Sequence, residues 1–130
     1  MLSDFSVMTL LPATDISRAE AFYANKLKLS RANVPVTGND IAFKTGDVTV
    51  LYVYERESST KADHPVAAWH VEDIEEVVHE LSERGVKFEY EVQDLPGLSP
   101  DEFGIFEVDG EKVAYFKDSE GNLLSLAEPR

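Results

Sequence analysis

The chain has 130 residues, no cysteine, and 25 acidic against 12 basic residues, which gives a net charge of −13. The absence of cysteine excludes disulfides, iron–sulfur clusters and thiol catalysis. The shortage of basic residues argues against nucleic acids and anionic membranes as partners. With no basic leader and no apolar run near ~20 residues, we expect a cytoplasmic protein forming one domain, residues 1–130.

The first half predicts a strand, a helix and three further strands. An apolar run from Met8 leads into Asp15, which is a typical residue at the start of a helix, and an apolar stripe follows at helical spacing. Three strand patterns come next, separated by turns rich in glycine and aspartate: residues 31–36, 41–44 and 48–55. The first module is therefore expected over residues 1–57.

A polar linker, residues 58–64, precedes a second copy of the same pattern over residues 65–130. Aligning Asp15 with Asp73 gives an offset of 73 − 15 = 58 residues. The second helix begins after Asp73 and ends at Gly85, since glycine commonly terminates helices. Strand patterns then follow at residues 86–92, 105–108, 113–117 and 123–128, with a loop rich in proline and glycine at 94–103.

Both halves are therefore read as βαβββ units of an α+β protein. One helix can cover one face of a four-stranded sheet. Two such units are expected to pair their sheets into one curved mixed sheet, with the helices outside and a cleft inside. A cleft of this kind is a natural site for a small molecule.

Two segments carry a resemblance to a known family. MTLLPATDISRAEAFYANKLKL resembles the first β-α segment of the vicinal oxygen chelate superfamily, which contains glyoxalases, bleomycin resistance proteins and extradiol dioxygenases. VAYFKDSEGNLLSLAE resembles the closing hairpin of that family. The resemblance implies the glyoxalase/bleomycin-resistance fold of two βαβββ modules, commonly assembled as a homodimer.

The same resemblance places four metal-ligand positions, on the first and last strands of each module. Met8 and Val66 stand where the family would place histidines, Ser125 takes the place of a glutamate, and Tyr52 matches the fourth position. Family members use histidine and carboxylate ligands there, which suit zinc, nickel, manganese or iron. The four residues of this chain do not form such a set, so the sequence predicts neither a metal nor any other cofactor.

Strand alternation predicts which side chains face the cleft. The candidate ligand-binding residues are Met8, Leu10, Tyr52, Tyr54, Val66, His70 and Ser125. Such a lining suits a flat, partly apolar molecule oriented by tyrosine hydroxyls, but the same residues would equally well pack the cleft shut. His70 is either a ligand or acid–base group, or a hydrogen-bonded structural histidine. His64 and His79 are assigned to the linker and to the polar face of the second helix.

Three functions follow from the resemblance and the residues. The first is metal-free binding of a small, partly apolar molecule, with a cationic guest favoured by the acidic excess, as in the drug-sequestering bleomycin-resistance branch. The second is a lyase, isomerase or dioxygenase that uses a metal at misassigned positions, or His70 or Tyr52 as an acid–base group. The third is an accessory domain whose purpose is dimerisation.

Overall fold

A computed structural model describes all residues from Met1 to Arg130. The chain divides into two compact units, Met1–Thr60 and Lys61–Arg130. The boundary between them lies inside the polar segment 58–64 that the sequence marks as a linker. Each unit has its own sheet and its own helix.

The first unit contains a four-stranded mixed sheet. Its strands are β1 (Thr9–Ala13), β2 (Ser30–Arg31), β3 (Ile41–Thr45) and β4 (Thr49–Glu55), in the spatial order β1-β4-β3-β2. β1 runs parallel to β4, and the other neighbouring strands are antiparallel. Helix α1 (Ile16–Ala21) follows β1 and continues as one π-helical turn, Phe22–Lys26.

The second unit repeats this topology. Its elements are β5 (Ala67–His70), α2 (Ile74–Glu83), β6 (Phe106–Val108), β7 (Glu111–Lys117) and β8 (Leu123–Glu128), and the sheet order is β5-β8-β7-β6. β5 is parallel to β8, and β7 is antiparallel to both of its neighbours, β6 and β8. Two mixed four-stranded sheets, each with a helix between its first and second strands, confirm the predicted α+β class and the two βαβββ modules.

Both helices begin where their local sequences predict, and α2 also ends there. Asp15 accepts a hydrogen bond from the Arg18 amide at 3.0 Å, and Asp73 accepts one from the Glu76 amide at 3.2 Å. These bonds satisfy amides that the first turn of a helix leaves without a partner. After α2, Gly85 has φ +89°, a conformation that favours glycine and allows the chain to turn away from the helix.

Each helix covers one face of its sheet, and that face forms the core of the unit. In the first unit, Tyr23 and Phe43 lie with ring centroids 5.6 Å apart, and Leu51 and Val53 are buried on the same side. In the second, the Lys112 ammonium lies 3.5 Å from the Glu75 carboxylate of α2. Residues with the parity of Lys112 therefore face α2, and those with the opposite parity face away.

Two predicted strands are much shorter in the structure. Residues 31–36 were expected to form a strand, but pairing with β3 stops near Arg31. Pro35, which offers no amide donor, lies in the part of the segment that stays unpaired. Residues 86–92 form only an isolated bridge, Phe88 opposite Phe116, since β6 pairs with the other end of the same edge of β7. No helix of the chain is both long and apolar enough to span a bilayer.

Candidate functional site

The face of the first sheet that points away from α1 exposes large apolar side chains, and we call it the first open face. Leu10 is 58% exposed, and Met8, immediately before β1, is 50% exposed. Tyr52 and Tyr54 on β4 share this face and are half-buried, while the alternate residues of the strand are buried under α1. The structure thus brings the four candidates of this module onto one surface.

The Tyr52 hydroxyl is fixed by two hydrogen bonds. It donates to Oδ2 of Asp40 at 2.9 Å and accepts from the Thr37 amide at 3.1 Å. Oδ1 of Asp40 in turn accepts from the Glu55 amide at 2.7 Å. Because the only proton of the phenol is given to Asp40, Tyr52 can offer a ligand only a remaining lone pair. Sequence reasoning treated Asp40 merely as a turn residue and missed this contact.

The corresponding face of the second sheet, away from α2, is the second open face. Val66 is half-buried before β5, and His70 at the end of β5 is exposed. The His70 side chain makes no hydrogen bond to the rest of the chain. Ser125 is only 7% exposed, and its hydroxyl lies 3.5 Å from the Ala67 carbonyl.

Strand register shows that Tyr52 and Ser125 occupy equivalent positions. Leu10 lies opposite Tyr52, and Ala68 lies opposite Ser125. Leu10 is two residues after Met8, and Ala68 is two residues after Val66, so the same geometry recurs in both modules. Tyr52 and Ser125, which the resemblance placed at corresponding positions of the two modules, thus share the same strand register.

The side chains at these positions do not fit the divalent metal that the resemblance implies. Val66 has no donor atom, Met8 offers a thioether, and Ser125 a neutral hydroxyl. The Tyr52 phenol is already engaged by Asp40 and a backbone amide. No three histidine or carboxylate groups of the chain lie close enough together to bind a metal ion. We therefore derive no chemistry through a metal.

A part of the second open face is covered by the chain itself. The buried apolar cluster on this face consists of Phe106, Tyr115 and Leu123. Val92 and Leu95, from the loop between α2 and β6, pack onto it. Tyr115 lies directly opposite Ser125 in the β7–β8 ladder. The sequence analysis did not consider Tyr115, although the alternation of β7 places it on the same face as Ser125.

The Tyr115 phenol lies in a setting that disfavours its ionisation. Burial raises its pKa above the usual value, and the nearby carboxylates of Asp94 and Glu111 raise it further. Both causes disfavour the phenolate. The side chain therefore stays a neutral hydrogen-bond donor throughout the ordinary pH range.

Sequence comparison assigns the chain to a family. Residues 6–126 match the model of the Glyoxalase/Bleomycin resistance protein/Dioxygenase superfamily. The chain belongs to this superfamily. No curated protein sequence matches it significantly.

Solved structures of this superfamily's fold match nearly the whole chain. A glyoxalase family protein from Enterococcus faecalis is 23% identical, with a TM-score of 0.69 over 98% of this chain and 100% of the other. A lactoylglutathione lyase from Agrobacterium tumefaciens is 23% identical, with a TM-score of 0.63 over 95% and 92%. TnmS3, an antibiotic binding protein from Streptomyces sp. CB03234, is 20% identical, with a TM-score of 0.64 over 97% and 98%. At these identities the likeness establishes the fold alone.

Proposed function

We propose that this superfamily member binds a small, partly apolar molecule without the help of a metal ion. The contact residues are Met8, Leu10, Tyr52 and Tyr54 on the first open face and Val66, His70 and Ser125 on the second. The observation that carries the proposal is the first open face, where exposed apolar side chains share one surface with a tyrosine whose hydroxyl has a fixed orientation. Apolar area with a few oriented polar groups is the usual composition of a small-molecule site.

The hydrogen bonds of Tyr52 favour a particular kind of guest. Since its proton is held by Asp40, the hydroxyl acts as an acceptor, and the carboxylate behind it increases the negative charge on that oxygen. An N–H group, above all a cationic one, satisfies this position best. The net charge of −13 adds a long-range attraction for cations.

A binding role also agrees with one structural relative. TnmS3 is described as an antibiotic binding protein, and it shares the fold of this chain over almost its full length. By analogy, binding of an organic molecule is a function that this fold supports. We extend that analogy to the class of function, and not to the identity of the ligand.

The test uses benzamidine, a flat aromatic cation, and benzoate, its anionic counterpart of similar size. Benzamidine is expected to raise the melting temperature in a dose-dependent manner, because a ligand that binds the folded state stabilises it. Tyr52→Phe should weaken that binding roughly fivefold through loss of one hydrogen bond. Val48→Ala, in the exposed turn before β4, is the matched control and should change nothing. If neither benzamidine nor any of a panel of neutral aromatics shifts the transition, the proposal is wrong.

Metal independence is tested separately by elemental analysis of protein purified without chelators. We expect less than stoichiometric zinc, nickel, manganese and iron. One equivalent of any of these metals would contradict the metal-free part of the proposal and would favour an enzymatic function. A cytoplasmic homodimer is a further part of the proposal, and light scattering at micromolar concentration tests its oligomeric state.

A further inference from the structure

Three partly buried side chains pack against the apolar cluster on the second open face: Val113 from β7, and Val92 and Leu95 from the loop before β6. Phe106 and Tyr115 meet edge to face with ring centroids 5.9 Å apart, and Leu123 completes the floor. Val92 and Leu95 pack against this floor, and both are only partly buried. We call residues 92–95 the plug, because they are the part of the loop that touches the floor.

The plug belongs to a segment with little structure of its own. No helix or extended strand lies between α2 and β6. Within the plug region, backbone bonds join only near neighbours: the Leu95 amide to the Val92 carbonyl at 3.2 Å, and the Leu98 amide to the Leu95 carbonyl at 3.3 Å. The segment from Tyr90 to Pro100 curls around an open cavity of about 690 Å³ instead of packing against itself. Few contacts therefore oppose an outward movement of the plug.

The floor beneath the plug carries hydroxyl groups with unused bonding capacity. Tyr115 is only 8% exposed, and its hydroxyl makes no hydrogen bond within the chain. Ser125 lies across the strand pair and has only one long contact, to the Ala67 carbonyl. The Tyr115 hydroxyl is not among the fully buried polar atoms that lack a partner, so solvent reaches it, and a ligand that supplies an acceptor atom can replace that solvent contact.

The charges around this floor restrict the ligand further. Asp94 lies in the plug itself, and Glu111 begins β7, so negative groups face the Tyr115 hydroxyl from two elements. An anionic ligand is repelled here. The apolar floor and the neutral donor instead fit an uncharged aromatic molecule with a carbonyl or ether oxygen.

We propose that residues 92–95 are a displaceable plug over a second ligand subsite, in which Tyr115 donates a hydrogen bond to the oxygen of a neutral aromatic guest. The proposal shares Ser125 with the proposed function and deepens it, but it does not need the first open face. The apparent affinity of such a subsite is reduced by the fraction of molecules in which the plug is closed. Weakening the plug therefore strengthens binding.

The probe is acetophenone, a neutral aromatic ketone, followed by amide chemical shifts in isotope-labelled protein. Shifts are expected at residues 92–95 and along β7 and β8. Leu95→Ala should tighten binding roughly fivefold by opening the plug. Leu98→Ala, an exposed position of the same loop, is the matched control and should leave the affinity unchanged. Tyr115→Phe should weaken binding roughly fivefold in either background.

Three results would overturn the proposal. Weaker acetophenone binding in Leu95→Ala would show that residues 92–95 contact the ligand instead of blocking it. Unchanged binding in Tyr115→Phe would show that Tyr115 does not donate a hydrogen bond to the ligand. Absence of any shift in the wild type and in both Leu95→Ala and the milder Leu95→Val would remove the subsite itself. Benzamidine shifts confined to β1 and β4, with no acetophenone shifts in the second module, would leave the first open face as a binding site while this proposal failed. Acetophenone shifts confined to residues 92–95, β7 and β8, with no benzamidine response, would support this subsite and remove the first open face from the proposed site.

Discussion

The hydrogen bonds of Tyr52 predict an energetic coupling between this residue and Asp40. Asp40→Ala removes the bond to the Tyr52 hydroxyl and the bond to the Glu55 amide. A hydrogen bond to a charged group contributes about 1.5 kcal/mol or more, and the partial exposure of Asp40 reduces this. We expect Asp40→Ala to lower the free energy of unfolding by about 2 kcal/mol.

Tyr52→Phe removes the same shared bond together with the bond from the Thr37 amide. Its expected cost is about 1.5 kcal/mol. The double variant loses the shared bond only once, so it should be destabilised by about 2.5 kcal/mol, which is about 1 kcal/mol less than the sum of the single variants.

Urea unfolding followed by circular dichroism measures these differences, provided the denaturant dependence stays the same among the variants. The control replaces Tyr52→Phe by Tyr54→Phe, on the same strand but without a bond to Asp40, and there the two costs should simply add. If the Asp40 and Tyr52 costs also add within about 0.5 kcal/mol, the hydrogen bond makes no net contribution, and our assignment of Tyr52 as an acceptor loses its basis.

Three further predictions concern the second module and its loops. The pKa of Tyr115 is raised in the folded protein, so the unfolded chain loses this proton first as the pH rises, and the free energy of unfolding should fall above pH about 10. Tyr115→Phe should lessen that fall, which thermal melts at alkaline pH measure. An identical fall in the variant would refute the assignment. Asp73→Ala should cost about 1 kcal/mol in urea unfolding by removing the start cap of α2, whereas Asp73→Asn should retain most of it. Gly104→Ala should be more destabilising than Gly38→Ala. Both glycines have positive φ, but only at Gly104 would an added Cβ lie 2.8 Å from the Cβ of Phe88. Equal melting temperatures of the two variants would contradict this.

Local patterns in the sequence predicted much of the fold. Asp15, Asp73 and Gly85 act within a single turn of chain, so their roles were readable from neighbouring residues. The alternation of β4 likewise separated Leu51 and Val53, which are buried, from Tyr52 and Tyr54, which are not. Such signals depend on backbone geometry, which adjacent residues determine.

Long-range contacts account for what the sequence did not predict. Whether residues 86–92 form a strand depends on how β6 competes for the edge of β7, and those segments lie far apart in the chain. The engagement of Asp40 with Tyr52, and the covering of Tyr115 by Leu95, are also contacts between distant positions. The ligand-binding roles of Met8, Leu10, Val66, His70 and Ser125 stay predictions that the experiments above address.

The shared register of the two modules also has an evolutionary consequence. Because the two modules repeat the same topology, each position on an open face occurs twice. The residue at that position can therefore change in one module while the other module keeps its residue. Here the equivalent positions hold a large phenol in one copy and a small hydroxyl in the other. Tyr52→Ser would move the first copy toward its sister, whereas Ser125→Tyr would place a phenol where the serine is only 7% exposed, so the neighbouring side chains would have to move. Internal duplication thus gives this chain its own template for acquiring a new ligand preference.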